Sequence, residues 1–455
     1  GGLAGTALPA ELDVIAASNN TGSLLGGATV VVRGSDGSVQ TKLTSVDGIA
    51  AFPSPPPAPL TVTVTEKCFQ PTTFDGVKVR SVTAYLDAVL SIDCIPPSGF
   101  PPVTGGSGYT APTVTGQLVF PGAIELARAP WTGVPHATAP GDRRAAYLFV
   151  AQRDNLARFY LPDPTTATTD TASGDVGYDF TLSAQAGNLT IYAIAGIEHQ
   201  PEAGQRSFDP YVLGVVQGIG VAPLATVTDV LIPMTIGFTQ QLDVSATGAP
   251  LGSPGPDRLD TTLVIDLGPN EIVLPNGFRE DLLPTSTTLS FVGIPGLEGA
   301  LAAGSYDVAV LDVTGSSGGL PTTGVLRRTT RSTGAPLSVG SFVPIPTLAS
   351  PTPTATWSGA TLVIELPPST ADLINVQIAT VDGVTGWNVI APGESRTIVL
   401  PDFSSTPELG LPKGPFTLQV NAARLDGFNY QAMRYSSLYR SSWTAYATNV
   451  FYAQN

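Results

Sequence analysis

Residues 44–65 constrain the fold of this chain more than any other stretch, because their order predicts strands and turns in immediate succession. Their sequence is TSVDGIAAFPSPPPAPLTVTVT. Residues 44–52 are predicted to form a strand, a turn at Asp47-Gly48 and a second strand. The run Leu60–Thr65 alternates apolar and hydroxyl residues with the period of a strand that is buried on one face. Similar short runs and turns continue through the chain, so the sequence predicts an all-β protein.

The length of 455 residues predicts several domains, at roughly 100 to 200 residues each. Gly and Pro number 49 and 42, yet regular apolar alternation continues between them, which favours packed strands over disorder. No window longer than about 12 residues keeps a helical apolar period. We therefore predict tandem Greek-key β-sandwiches of transthyretin-like or fibronectin-like type. Their expected bounds are 1–98, 112–247, 248–345 and 346–455, with a Pro- and Gly-rich linker before the second.

The charge balance argues against two classes of partner. The net charge is −15, and lysine occurs only at Lys42, Lys67, Lys78 and Lys413. Nucleic acid and anionic membranes attract proteins mainly through Lys and Arg, so we expect neither as a partner. The longest apolar run, residues 211–238, contains Asp229 and an Ala222-Pro223 break, and it predicts two buried strands joined by a turn rather than a membrane span. The first residues lack the pattern of an export signal, and we expect any such signal to have been removed.

The two cysteines fall within the first predicted unit. Cys68 follows a predicted strand and Cys94 follows the last one of that unit. A single local pair of this kind predicts a disulfide and an oxidising compartment. Two reduced core thiols remain the alternative, since spacing alone does not show that the Cα atoms approach each other closely enough.

Short motifs in the first unit resemble one known family. In chain order they are Gly27-Ala-Thr-Val-Val-Val32, Thr44-Ser-Val-Asp-Gly48, Ala51-Phe52, Leu60-Thr-Val-Thr-Val64 and Phe69-Gln-Pro71. They resemble the carboxypeptidase regulatory-like, transthyretin-like domain, although Leu60 replaces the usual Tyr. The resemblance implies a β-sandwich that serves as an accessory module in secreted and surface proteins. In composition and module order, the whole chain resembles surface lipoproteins of myxobacteria, which implies a bacterial cell-surface location.

Residues that carry chemistry are scarce, and we expect no catalytic, cofactor-binding or metal site. His136 and His199 lie in different predicted loops. Residues 315–319, GSSGG, match G-x-S-x-G, but no helical pattern follows as a nucleophile elbow requires. The loop 161–179 carries four Asp residues among hydroxyls, and Ca²⁺ binding there remains a hypothesis beside that of a solvated acidic turn.

Aromatic residues concentrate near the C-terminus and predict an interaction patch, whose members are Tyr430, Tyr435, Tyr439, Trp443 and Tyr446. Such rings bind glycans or proteins, although core packing is the alternative. The sequence favours a non-enzymatic extracellular protein that self-associates as a surface, filament or matrix component. The other hypothesis is a carbohydrate- or protein-binding adhesion module. We expect a homo-oligomer, with residues 1–18 as a candidate strand donated to a neighbouring copy. The alternative is that residues 11–17 pair within their own domain while residues 1–9 stay unpaired.

Overall fold

The structure is a computed structural model that describes residues 2–8, 11–89, 94, 111–122, 131–154, 156–169, 179–200, 206–250, 255–283, 288–315, 318–352, 356–357, 361–381, 386–403, 406, 409 and 414–454. Within these ranges the chain forms 29 strands and no α-helix, so the predicted all-β class is confirmed. The helical residues are short 3₁₀ turns at Pro164–Thr166, Gly299–Leu301, Tyr430–Ala432, Tyr435–Leu438 and Arg440–Ser442. No helix of the described residues is long and apolar enough to cross a membrane.

The first predicted unit is a sandwich of two facing sheets. Its strands are β1 (Gly2–Ala7), β2 (Leu12–Ser18), β3 (Thr29–Arg33), β4 (Val39–Leu43), β5 (Ile49–Phe52), β6 (Leu60–Thr65), β7 (Thr72–Val77) and β8 (Val79–Leu86). One sheet has the order β1-β8-β2-β5, and the facing strands follow the order β7-β6-β3-β4. Alternate residues of both sheets, such as Val14, Val32 and Val62, are fully buried between them. This is the packing that period-two alternation predicts.

The second predicted unit contains long, twisted strands. They are β9 (Thr113–Val119), β10 (Arg143–Val150), β11 (Thr168–Thr169), β12 (Asp179–Ser183), β13 (Gly187–His199), β14 (Ser207–Val221), β15 (Thr226–Gly237) and β16 (Gln240–Ala246). The first seven form one sheet of order β11-β10-β13-β14-β15-β9-β12. The apolar run 211–238 therefore forms two strands joined by a turn, as the sequence predicts.

The remaining thirteen strands belong to three further sheets. These strands are β17 (Arg258–Asp266), β18 (Glu271–Leu282), β19 (Thr288–Ile294), β20 (Ser305–Thr314), β21 (Gly319–Thr330), β22 (Leu337–Val339), β23 (Thr347–Ser350), β24 (Thr361–Glu365), β25 (Leu373–Thr380), β26 (Gly386–Pro392), β27 (Thr397–Val399), β28 (Pro415–Arg424) and β29 (Ala445–Gln454). Two small sheets have the orders β19-β16-β22 and β23-β24-β27.

One large sheet crosses the predicted domain boundaries. Its twelve strands run in the order β18-β17-β20-β21-β29-β28-β25-β26-β7-β6-β3-β4. The last unit lies in the middle of this sheet, because β26 pairs in parallel with β7 of the first unit and β29 pairs with β21 of the third. Buried residues also form shared clusters, one of which includes Tyr192, Ile272 and Ala447 from three different predicted units. The bounds of the four units stay a prediction.

The N-terminal segment is not free for donation to another copy. β1 pairs antiparallel with β8, and β2 pairs with both β5 and β8 of the same chain. Leu3 is buried, and its N–H donates to the Met433 carbonyl at 3.0 Å. The expected donor role of residues 1–18 is therefore wrong for the part of this segment that the structure describes. Apolar alternation predicts a strand but not the strand with which it pairs.

The shared sheet predicts cooperative unfolding. Since one ladder links the first, third and last predicted units, we expect these to unfold in a single thermal transition rather than one by one. Differential scanning calorimetry measures this directly, as the ratio of calorimetric to van't Hoff enthalpy. Separate transitions, each assigned to one unit by limited proteolysis, would contradict the prediction.

Candidate functional site

A disulfide joins the two cysteines. Cys68 and Cys94 are bonded, with their Cα atoms 5.3 Å apart and a sequence separation of 26 residues. Cys68 lies in the turn after β6, and its carbonyl accepts a hydrogen bond from Val89 N–H at 2.8 Å. The bond thus ties this turn to the segment that follows β8, the last strand of the first unit. The structure therefore contains the predicted disulfide and not the alternative, two reduced thiols.

Removing the disulfide should loosen the first unit. In the chain-entropy account, opening a loop of this length lowers the free energy of unfolding by about 3 kcal/mol. The double variant Cys68→Ser/Cys94→Ser avoids stray thiols and should show this loss in urea titration. An equal stability of the variant and the native protein would show that the loop is already constrained in the unfolded chain.

The five aromatic residues of the predicted patch have different environments. Tyr430, Trp443 and Tyr446 are buried at 7%, 8% and 1% exposure, whereas Tyr439 is 61% exposed. Tyr435 is half-buried and packs edge-on against Tyr85, with ring centroids 4.8 Å apart. Core packing, the alternative left open by the sequence, describes all of them except Tyr439.

These aromatics connect the C-terminal segment to the first unit, and we call Tyr430, Tyr435, Trp443 and Tyr446 the aromatic clamp. The Tyr430 hydroxyl donates to the Asp75 carbonyl at 2.6 Å and lies 3.0 Å from the Ile390 carbonyl, so it contacts both β7 and β26. The Tyr435 hydroxyl accepts from Tyr85 N–H at 2.7 Å. Each buried hydroxyl thus has a partner, as burial in an apolar interface requires.

The other residues considered for chemistry are dispersed. His136 is exposed, and His199 lies between two carboxylates, with Nδ1 2.7 Å from Asp142 and Nε2 3.1 Å from Asp209. Burial lowers the pKa of His199, but the hydrogen bonds with Asp209 and Asp142 outweigh it and raise the pKa overall. Among the described residues no group of three or more potential ligands could hold a metal ion. Residues 170–178 of the suggested Ca²⁺ loop lie outside the described residues, and Asp163 caps a 3₁₀ turn.

The G-x-S-x-G match lacks the context of a nucleophile elbow. Its central residues 316–317 lie outside the described part of the chain, and its last glycine begins strand β21. A nucleophile elbow instead passes from a strand into a helix. The match therefore provides no support for a catalytic serine.

A cleft of about 690 Å³ brings several charged residues together beside a buried acid. We call it the polar cleft; Gln152, Arg153, Asp154, Leu156, Glu271, Arg327, Asp426 and residues 440–444 line it. Glu271 begins β18 and is fully buried, and its N–H donates to the Gln152 carbonyl at 3.0 Å. Trp443 of the aromatic clamp forms part of the wall, so the C-terminal aromatic segment does border this concave site.

Two buried carboxylates share one guanidinium beside this cleft. Arg327 Nη2 lies 3.3 Å from Glu271 Oε1, and Arg327 Nε lies 3.1 Å from Asp307 Oδ2. Burial and the neighbouring Asp307 charge raise the pKa of Glu271 to about 7, against the opposing effect of Arg327. Burial likewise raises the pKa of Asp307 to about 6. Glu271 Oε2 is buried and has no hydrogen-bond partner among the described residues, so it is an unused acceptor beside the cleft or, when Glu271 is protonated, an unused donor.

Sequence reasoning missed these acids, although a signal exists. Asp307 and Asp312 interrupt the apolar run YDVAVLDV in β20, and both are buried. In a chain with only 13% charged residues, a carboxylate inside a buried strand is conspicuous. Such positions indicate either a buried ion pair or a proton-binding group.

Asp312 provides a test of the buried acids. Burial, with the nearby Asp257 charge, raises the pKa of Asp312 to about 7, and neither carboxylate oxygen has a hydrogen-bond partner among the described residues. The folded protein therefore keeps this proton at pH values where the unfolded chain has lost it, so this group makes stability fall as pH rises from about 4 to about 7. At pH 8, Asp312→Asn should raise the free energy of unfolding by about 2 to 4 kcal/mol.

Most of this gain should disappear near pH 4, where Asp312 is protonated in the folded protein and about half protonated in the unfolded chain. Asp229→Asn is the matched control, because Asp229 is also in a strand but is exposed. Denaturant titration at pH 4, 6 and 8 measures the differences. A destabilised Asp312→Asn protein at pH 8 would mean that the ionised carboxylate has a stabilising partner.

No family model matches the chain, and no curated protein matches it. Among solved structures, the Bacillus anthracis TIE protein is similar at 10% identity and a TM-score of 0.15, covering 73% of this chain and 50% of its own. This chain thus spans half the length of that protein. A tetra-tandem repeat from the extending region of a large adhesion protein has 12% identity, 98% coverage of both chains and a TM-score of 0.16. BcpA, the major pilin subunit of Bacillus cereus, has 8% identity, coverages of 73% and 98%, and a TM-score of 0.15. At TM-scores this low, the names of these proteins say nothing about the role of this chain.

Proposed function

We propose that this chain is a non-enzymatic structural protein of a bacterial cell surface, where it self-associates as a component of a surface layer, filament or matrix. One observation carries the proposal: the chain uses its aromatic residues and its largest sheet to fuse its own units. The aromatic clamp packs between the first and last units, and twelve strands from three units form a single ladder. A rigid body of this kind suits a building block.

Two features support a location outside the cell. The Cys68–Cys94 disulfide is of the kind that persists in oxidising environments. The motifs at residues 27–71 fall on β3, β5 and β6 and on the turns beside them, which suits a carboxypeptidase regulatory-like module at this end of the chain. We extend the proposal to that family assignment and to the likeness with myxobacterial-type surface lipoproteins.

Protease treatment of intact cells tests the location. In the organism that carries this sequence, we expect the protein to be cleaved by protease added to whole cells, and to carry the disulfide when alkylated without reduction. A cytosolic protein monitored in the same samples controls for lysis. Complete protection from protease together with two free thiols would overturn the proposal.

The polar cleft favours a second candidate function, a glycan- or protein-binding adhesion module. Its supporting observation is Glu271, a buried residue of the cleft lining whose Oε2 has no partner among the described residues, in the same lining as Arg440 and Trp443. The Arg440 guanidinium lies 4.5 Å from the centroid of the Tyr446 ring, which holds it at the rim.

A glycan array probed with the native protein tests this candidate, with Glu271→Gln and Arg440→Ala as cleft variants. Tyr439→Ala is the control, since Tyr439 is exposed but does not line this cleft. We expect binding that both cleft variants lose and the control keeps. Binding that all variants retain would place the ligand elsewhere, and no binding to glycans or to surface-protein extracts would remove this candidate.

A further inference from the structure

The outer edge of the twelve-stranded sheet is formed by β4, which pairs only with β3. Thr44 N–H donates to the Ala28 carbonyl at 2.9 Å, and Gly34 N–H donates to the Ser38 carbonyl at 2.8 Å. These two bonds set the phase of the ladder, because hydrogen-bonded pairs alternate along antiparallel strands. Gln40 and Lys42 therefore bond to β3. The N–H and C=O groups of Val39, Thr41 and Leu43 point away from the sheet.

The side chains of β4 leave this edge accessible and apolar. Val39 and Leu43 are 53% and 64% exposed, and Thr41 lies between them on the same face. This face forms one side of a groove of about 680 Å³, whose opposite wall includes Val399 and Phe403. Exposed apolar side chains beside unpaired backbone groups are what a pairing edge presents.

The polar side chains of β4 turn to the other face, where they cover a different edge. Lys42 Nζ donates to the Ala51 carbonyl at 2.6 Å and lies 5.1 Å from the centroid of the Phe52 ring. Gln40 Nε2 donates to the Ser54 carbonyl at 2.9 Å. Lysine on an edge strand usually discourages pairing, but this ammonium is directed towards β5 and away from the free edge of β4.

We propose that a second copy of this chain docks on this edge, with β4 pairing antiparallel to β4 of the partner about a two-fold axis through Thr41. Val39, Thr41 and Leu43 are the β4 residues with outward N–H and C=O groups, so the phase limits the possible registers to shifts of two residues. The register with Thr41 on the axis is the one that pairs all three of them. Thr41 then pairs with its own copy and Val39 pairs with Leu43 of the other chain, each pair exchanging both backbone hydrogen bonds.

Side-chain chemistry agrees with this register. On the groove face, the apolar Val39 and Leu43 oppose each other on both sides of the central threonine pair, and such pairs stabilise sheets. On the other face, Lys42 opposes the neutral Gln40 of the second copy, so no like charges lie directly opposite. The strand order V-Q-T-K-L is therefore self-complementary when reversed. This self-complementarity favours a second copy of the chain over an unrelated strand as the partner.

Two longer edge strands of the described chain are obstructed. β18, the opposite end of the same sheet, contains Pro275, which has no N–H to donate. Arg279 of β18 donates to the Ser290 carbonyl at 3.2 Å and reaches across to β19. β1 is bridged to residue 434 through Gly2. β4 is therefore more open to pairing than either of them.

This inference rests on the proposed self-association and specifies its contact. A two-fold contact closes on itself and yields a dimer, so a filament would require a second, different contact. Because β4 is short, we expect a dimer that forms at high local protein concentration, as on a crowded cell surface.

Proline substitution tests the interface with a matched control. Thr41→Pro removes an outward N–H at the two-fold axis without removing a bond to β3, and it should raise the dimer dissociation constant by at least roughly tenfold. Ala51→Pro removes an outward N–H from β5, the neighbouring edge, and should leave dimerisation unchanged. Light scattering across a concentration series measures both, and circular dichroism verifies that each variant is folded.

Cysteine substitution tests the register independently of stability. Thr41→Cys should form a disulfide-linked dimer on mild oxidation, because directly opposed residues in a hydrogen-bonded pair have Cα atoms about 5.5 Å apart. Val39→Cys is similarly exposed but lies opposite Leu43, far from its own copy, and should link much more slowly.

A native protein that stays monomeric at its highest soluble concentration would overturn the dimer, as would equal linking by both cysteine variants or undiminished dimerisation of Thr41→Pro. These results would leave the surface location intact, since whole-cell protease treatment tests that separately. A protein found only in the cytosol, but dimeric through β4, would instead overturn the proposed function and keep the interface.

Discussion

The parallel pairing of β26 with β7 is the contact on which the rest of the structure depends. Asn388, Val389 and Ile390 pair with Thr72, Thr73 and Phe74, and this short ladder alone continues the large sheet from the last unit into the first. Its buried polar groups are matched: Trp387 Nε1 donates to Thr73 Oγ1 at 2.9 Å, and Thr73 Oγ1 lies 2.7 Å from Thr63 Oγ1. Because each hydroxyl has a partner, the ladder is buried without the cost of unsatisfied polar atoms. The aromatic clamp then closes over the same junction.

The junction around Glu271 follows a different physical rule. There, carboxylates rather than hydroxyls are buried, and one guanidinium serves both Glu271 and Asp307. Burying two acids beside one base leaves negative charge insufficiently compensated, and the proton bound at raised pKa supplies the rest. The β26–β7 junction is held by threonine hydroxyls and an indole N–H, none of which titrates between pH 4 and 8, so these groups do not make it sensitive to pH. The carboxylate junction weakens as pH rises. The two junctions of the large sheet thus respond differently to pH.

Local order in this protein could be predicted, and long-range pairing could not. The alternation of LTVTVT gives β6 at residues 60–65 because the period of two depends only on neighbours in sequence. The pairing of β26 with β7 joins residues more than 300 positions apart, and nothing in either strand identifies the other. For the same reason the N-terminal strand was predicted, but its partner β8 was not. The aromatic residues were visible as a group, yet burial separates Tyr439 from the clamp, and burial is a property of the tertiary structure.

Scarcity of charge explains how the edges of these sheets are managed. With few lysines available, several edges are covered by other contacts made within the chain: residues 433–434 lie against β1, and Pro275 with Arg279 obstructs β18. The Lys42 ammonium can cover only one edge, and it covers β5 by donating to the Ala51 carbonyl. The edge that carries this lysine is consequently the one left open. An unpaired strand with exposed Val39 and Leu43 is an aggregation hazard for a protein that remains monomeric. In a protein whose copies are held side by side on a cell surface, the same edge can pair with its copy. The open β4 edge is therefore consistent with the proposed surface location.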